Sequence, residues 1–179
     1  MNKDDILKSL SLKDKCKLFV GKNFWELEPI NGKNIFLSDG PHGIRKEVFI
    51  NNKPHNVEAI CYPAACLSAC SFNLDLMKEY GNALALECIK NDIDVLLGPG
   101  INIKRNPLCG RNFEYFSEDP FLAGKLASNY IKGVQEKNVG VSLKHFALNS
   151  QEEARFLNNS IVDERAIHEI YTKAFKIAI

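Results

Sequence analysis

The chain has 179 residues, 45% of them hydrophobic and 25% charged, with 23 Lys and Arg against 22 Asp and Glu for a net charge of +1. That composition suits one globular domain with a sizeable core, and the balanced charge makes no electrostatic case for nucleic acid or an anionic membrane as partner. No apolar run approaches the roughly 20 residues that span a bilayer, and the start, Met1-Asn2-Lys3-Asp4-Asp5, lacks the basic-then-apolar order of a signal peptide, so the expected location is the cytoplasm.

Residues 4–20 predict one or two short helices: Ser11 is placed to cap the second, Leu12, Cys16 and Phe19 share a face, and Gly21 is placed to end it. A strand is expected at Asn34–Asp39, around Ile35-Phe36-Leu37, closing in the turn signal Asp39-Gly40-Pro41. Residues 46–60 are polar and show no period, so they read as irregular. A helix is expected from Leu74 to Ile89 with Asn73 as its cap and Leu74, Met77, Gly81, Leu84 and Cys88 on one stripe. A second strand follows at Asp94–Leu97, then the long loop Gly98–Pro120. Asp119 is placed to cap the next helix, with Pro120 at its first position and an apolar face of Ala123, Leu126, Ala127, Tyr130, Ile131 and Val134. Val139–Phe146 reads as a third strand, and Asp163 as the cap of a last helix with Ile167, Ile170, Tyr171, Ala174 and Phe175 on its face.

Strands alternating with amphipathic helices predict an α/β fold with a parallel sheet. The charged motifs all follow strands, where both a (β/α)8 barrel and a doubly wound sheet carry their chemistry. The six cysteines lack the paired Cys-x2-Cys halves of a zinc site, and the expectation is reduced, mostly buried thiols, with Cys16 and Cys88 on helix faces.

The loop Gly98–Pro120 gathers Lys104, Arg105, Arg111, Glu114, Glu118 and Asp119 among three aromatics, a charge load that a mere connector does not need. Four residues stand out. Asp39 in Ser-Asp-Gly-Pro is an acceptor able to take hydrogen bonds from two neighbouring hydroxyls, and equally able to start a turn by bonding its own backbone. Arg111 has a planar fork suited to paired hydroxyls or to a salt bridge with Glu114 or Glu118. Lys144 and His145 are neighbours at a strand end, where regular alternation would send them to opposite faces, and they suit a structural His beside a solvated Lys as well as a site. Arg45, Asn149 and Glu152 lie beside these motifs and suit either a ligand contact or the holding of a loop; His42 fits under its turn, and Trp25 fits an anchor for the first segment or an aromatic platform.

Leu37-Ser38-Asp39-Gly40-Pro41-His42-Gly43-Ile44-Arg45, the loop with Cys109-Gly110-Arg111-Asn112-Phe113-Glu114, and Leu143-Lys144-His145-Phe146-Ala147-Leu148-Asn149, with Val162-Asp163-Glu164-Arg165 after them, together resemble the amino-terminal domain of the family 3 glycoside hydrolases. The resemblance runs from about Phe24-Trp25 to the last residue and is closest to the β-glucosidase branch; the Lys-His-Phe-Pro-Gly-His-Gly of the N-acetylglucosaminide branch gives way here to Phe146-Ala147-Leu148-Asn149, which implies the β-glucosidase and β-xylosidase side and does not separate glucose from xylose. It implies an incomplete TIM-type (β/α)8 barrel over residues 1–179, because a whole barrel takes about 250 residues. It also implies that Asp39, Arg111, Lys144 and His145 contact the non-reducing sugar, with the strand locally distorted so that Lys144 and His145 both reach it. The activity it implies is hydrolysis of terminal β-D-glucosyl residues in β-glucosides or short oligosaccharides, with retention and no cofactor or metal. Retention needs two carboxyl groups about 5 Å apart. The family's nucleophile lies in a Ser-Asp-Trp motif and its acid/base in a carboxy-terminal domain; neither occurs here, so no catalytic residue is assigned and the chain is expected to be a fragment. The same residues leave room for a noncatalytic truncated paralogue that binds sugar or a protein partner.

Overall fold

In the computed structural model, which describes residues 3–30 and 33–179, the chain opens with two short helices, α1 (Lys3–Ser9) and α2 (Leu12–Lys17). Ser11 caps α2 as expected, its hydroxyl accepting from the Asp14 N–H at 3.2 Å. The predicted apolar face does not pack: Leu12, Cys16 and Phe19 are exposed, because neither helix buries a residue against the rest of the chain.

Strands β1 (Glu26–Ile30) and β2 (Lys33–Ser38) pair antiparallel. The Leu37 N–H also donates to the Trp25 carbonyl at 2.7 Å, which ties the first segment to β2. Next, β3 (Glu47–Ile50) and β4 (Lys53–Asn56) form a hairpin where the sequence reads as irregular. Asn51 and Asn52 both take positive φ, 52° and 60°, the two-residue turn that matches strand twist. Alternation is missing there because β4 faces solvent throughout, so neither side of the hairpin needed an apolar row.

After the short helix α3 (Ala65–Ala69), the two long helices form where the sequence supplies both a cap and a stripe. In α4 (Leu74–Lys90) the Asn73 side chain accepts from the Leu76 N–H at 3.0 Å, and of the predicted stripe Met77, Gly81, Leu84 and Cys88 are buried, whereas Leu74 in the first turn is exposed. Strand β5 (Val95–Leu96) follows. In α5 (Pro120–Gln135) the Asp119 carboxylate accepts from the N–H groups of Phe121 and Leu122, and every member of the predicted face is buried except the half-buried Ile131. Helix α5 packs against α4, and the Tyr130 hydroxyl donates to the Pro41 carbonyl at 3.2 Å, fixing the turn beyond β2. Gly81 sets the distance between α4 and α5. A Cβ there would stand 2.2 Å from the Tyr130 carbonyl oxygen and 3.1 Å from the Val134 nitrogen. Gly81→Ala is therefore expected to destabilise the fold by about 2–3 kcal/mol, overpacking outweighing the roughly 1 kcal/mol gain in helix propensity. A lower urea midpoint at unchanged slope would record it, and a midpoint at or above the parent's would show that the helices can part.

Strand β6 (Gly140–Val141) completes a sheet in the order β1-β2-β5-β6, parallel across β2, β5 and β6. The predicted third strand is regular for two residues only; beyond them the Ser142 N–H reaches the Leu96 carbonyl at 2.8 Å and the Lys144 N–H the Pro99 carbonyl at 3.0 Å. Helices α6 (Glu164–Ala166) and α7 (Lys173–Ala178) flank a π-helical turn, Ile167–Tyr171, in which both the N–H and the hydroxyl of Thr172 donate to the Ile167 carbonyl. The extra residue rotates the first part of the predicted face away from α5: Ala174 and Phe175 are buried, whereas Ile170 is exposed. The result is a partial α/β fold, the amino-terminal part of a TIM-type barrel.

All six cysteines are free, but only Cys88 and Cys109 are buried; Cys16, Cys61 and Cys70 are exposed, so the expectation of mostly buried thiols fails. Cys88 behaves as the small hydrophobe foreseen, with burial pushing its thiol up to about 12.

Candidate functional site

Three chain segments meet beyond the carboxyl ends of the parallel strands. Asp39 follows β2, where Gly40 (φ 113°) turns the chain and the Arg45 N–H returns to the Asp39 carbonyl at 2.9 Å. Gly100, after β5, bridges Tyr115 on one side and Lys144 on the other. The third segment is the irregular end of the β6 strand, where the Lys144–His145 and Phe146–Ala147 peptides are cis.

All four residues singled out in the sequence come together there. The Lys144 ammonium donates to Asp39 Oδ1 at 2.8 Å and lies 3.6 Å from Glu114 Oε2. Glu114 is 5% exposed, and its other oxygen takes Arg111 Nε. Arg111 Nη1 lies 3.8 Å from Glu152, and Glu152 accepts from Arg155 at 2.9 Å. Carboxylates and cations thus alternate from Asp39 through Lys144, Glu114, Arg111 and Glu152 to Arg155. His145 joins from the side: its Nδ1 is 3.0 Å from the Tyr115 hydroxyl, to which Asn149 Nδ2 donates at 2.8 Å. Lys144 and His145 therefore do not part to opposite faces; both reach the stretch Glu114-Tyr115.

The charges set one another. Burial alone would raise the Asp39 pKa, but the hydrogen bond and charge of Lys144, with the Gly40 N–H and Arg45, hold it below the ordinary value. Glu152 is likewise held down against its burial by Asn149, Arg155 and Arg111. His145 moves the other way: burial, then the cations Arg111 and Lys144, bring its pKa down to about 4, against the opposing pull of Glu114 and Glu152. It is neutral at pH 7. Between about pH 6.5 and pH 4 the unfolded chain binds a proton that the folded chain refuses, so this group lowers stability as pH falls through that window.

Asp39 and Glu152 are thus poor general acids, which need raised pKa values, and both Glu114 oxygens face cations. What the arrangement offers is a set of hydroxyl partners. Lys144 has a third N–H beyond Asp39 and Glu114, Arg111 has more donors than its carboxylates use, and Asp39 has further lone pairs. A cavity of about 800 Å3 among the described residues touches none of the four. It lies among Ile103, Lys104, Arg105 and Asp163, and its Asp119 and Asp163 carboxylates are already spent on helix caps.

Of the weaker candidates, Asn149 and Glu152 belong to the network, whereas Arg45 is exposed and pairs with Glu47 at 3.8 Å. His42 packs under its turn, its Nε2 accepting from the Ala65 N–H at 3.1 Å. Glu118 does not pair with Arg111; it lines the cavity instead. Sequence reasoning missed Tyr115 and Asn102. Asn102, 3% exposed, clamps the His145 backbone from both sides, accepting from its N–H at 2.8 Å and donating to its carbonyl at 2.9 Å. The available signal was an amide between two isoleucines in Ile101-Asn102-Ile103, a polar group that burial obliges to find partners.

The family profile described as "Glycosyl hydrolase family 3 N terminal domain" matches residues 56–179. The chain is 47% identical to the thermostable beta-glucosidase B of Acetivibrio thermocellus, over 97% of this chain and 24% of that protein. It is 45% identical to an exo-alpha-(1->6)-L-arabinopyranosidase of Bifidobacterium longum, over 95% of this chain and 23% of that protein. Among solved structures, the beta-glucosidase of Kluyveromyces marxianus in complex with glucose superposes with a TM-score of 0.90 at 38% identity, over 99% of this chain and 21% of that one. The chain spans about a quarter of the length of the curated relatives it matches.

Proposed function

The chain belongs to glycosyl hydrolase family 3, and on that premise we propose that it supplies the glycone-binding residues of a retaining β-glucosidase, an enzyme acting on terminal non-reducing β-D-glucosyl residues in the cytoplasm. The observation that carries this reading is the convergence of Asp39, Arg111, Lys144 and His145 from three separated segments on one charged cluster beyond the strand ends. In this reading Asp39 accepts from two neighbouring hydroxyls, Lys144 and Arg111 donate to ring hydroxyl oxygens, and His145 donates through Nε2. The nucleophile and the acid/base are assigned to no residue of these 179. A second glycone deserves the same assay, because a relative of nearly equal identity is named an arabinopyranosidase.

The test is release of chromophore from aryl β-D-glucoside, β-D-xyloside and α-L-arabinopyranoside by the protein that contains this chain, beside the 179 residues alone. Turnover by the former and none by the latter is expected. Turnover by the 179 residues would place a nucleophile among them and overturn the division of labour. Absence of turnover in both would remove the hydrolase reading and leave a noncatalytic sugar- or protein-binding role.

A further inference from the structure

We infer that Tyr115 and Asn149 fix the tautomer of His145, holding the imidazole neutral with its proton on Nε2. One chain of hydrogen bonds links Glu152 to His145 through Asn149 and Tyr115. Glu152 Oε1 lies 2.9 Å from Asn149 Nδ2, and an ionised carboxylate only accepts, so the amide of Asn149 must turn its nitrogen to Glu152. Arg155 at 2.9 Å and Arg111 at 3.8 Å keep Glu152 ionised. The same nitrogen has a second proton, and that one points to the Tyr115 oxygen at 2.8 Å. The Tyr115 phenol is fully buried. With its oxygen accepting from Asn149, its own proton goes to the remaining neighbour, His145 Nδ1 at 3.0 Å. Nδ1 is then an acceptor and carries no proton, and in a neutral ring the proton sits on Nε2. Protonating both nitrogens would set Nδ1–H against the phenol proton and add a third cation beside Arg111 and Lys144; Glu114 is already held by those two cations, and Glu152 by the two arginines. Asn102 grips the His145 backbone, so the ring cannot escape by shifting its segment.

Tyr115 and Asn149 are on this argument positioning residues. Their consequence for catalysis rests on the glycone reading above: a fixed Nε2–H presents one donor, in one direction, to a hydroxyl oxygen, and does not pass through imidazolium in the working pH range.

The measurement is 15N NMR of the protein labelled with 15N-histidine, the His145 signals being those absent from His145→Gln. Nitrogen shifts separate protonated from bare ring nitrogens. The expected result is a protonated Nε2 and a bare Nδ1 from about pH 8 to about pH 5. In Tyr115→Phe, which removes only the hydroxyl, the two nitrogen shifts should move toward each other as both tautomers become populated. Asn149→Ala frees the phenol to donate or accept and should give the same mixing, which keeps the inference testable if the buried Phe variant fails to fold. A wild-type ring protonated on Nδ1, titration to imidazolium near pH 6.5, or wild-type shifts in both variants would overturn the assignment. Adding glucose separates the two readings: a tautomer as assigned with no response of Nε2 to glucose would remove the glycone contact and leave the tautomer standing.

Discussion

Glu114→Leu is expected to cost about 3–5 kcal/mol of folding stability, the range for removing one partner from a buried ion pair. The Glu114 side chain is 6% exposed, and it is flanked by Lys144 at 13% and Arg111 at 21%. Leucine preserves the volume but leaves two half-desolvated cations short of a carboxylate. Lys144 would keep Asp39, whereas Arg111 would keep only Glu152 at 3.8 Å. Glu114→Gln retains an acceptor oxygen and should cost roughly half as much, since charge-assisted bonds are about twice as strong as neutral ones. The measurement is urea unfolding, with a fall in midpoint at constant slope. Arg111→Met combined with Glu114→Leu should recover part of the loss, because the double change removes the orphaned cation together with its carboxylate. A loss below about 1 kcal/mol in Glu114→Leu would mean that water reaches Arg111 and Lys144 freely, and the cluster would be a solvated surface rather than a built one.

The parts of this arrangement legible in the sequence are those with local causes. Asn73, Asp119 and Asp163 each cap the helix they precede, since a cap is decided by a side chain and an N–H within three residues. The stripes of α4 and α5 were readable because each helix buries one continuous face. The parallel strands were readable as short apolar runs. What resisted was non-local or compensated. The hairpin β3–β4 is held by Asn51-Asn52 and main-chain pairing, not by an apolar row. The π-helical turn inserts a residue that no periodicity announces. The exposed face of α2 has the pattern of a core helix with no partner among the described residues. In the site, the motifs pointed to Asp39, Arg111, Lys144 and His145, but their wiring depends on residues far apart in sequence. Glu114 read as one carboxylate among several in a charged loop. Tyr115 read as aromatic bulk, although its hydroxyl meets His145 and Asn149, 30 and 34 positions further along the chain.

The second large effect is expected on activity. In the protein that contains this chain, Asp39→Ala should lower kcat/KM for an aryl β-D-glucoside by about a hundredfold to a thousandfold. Two hydrogen bonds from sugar hydroxyls to a charged carboxylate contribute about 1.5–3 kcal/mol each, and each 1.36 kcal/mol is one decade of rate. The lower part of the summed range applies, because Asp39 is 35% exposed at its side chain and water replaces some of what is lost. The loss should fall on kcat as well as on KM: such contacts tighten as the ring distorts toward the oxocarbenium-like transition state, so they are differential rather than uniform. Folding should change little, by about 1 kcal/mol, since Lys144 keeps Glu114 as a neighbour. That separation of activity from stability is what a binding carboxylate predicts and a turn-forming one does not. A turn-forming Asp39 would show the reverse, a lowered urea midpoint with kcat/KM within about threefold of the parent. Arg165→Ala serves as the control, since its exposed pairing with Glu169 at 2.9 Å is remote from the cluster and neither measurement should move.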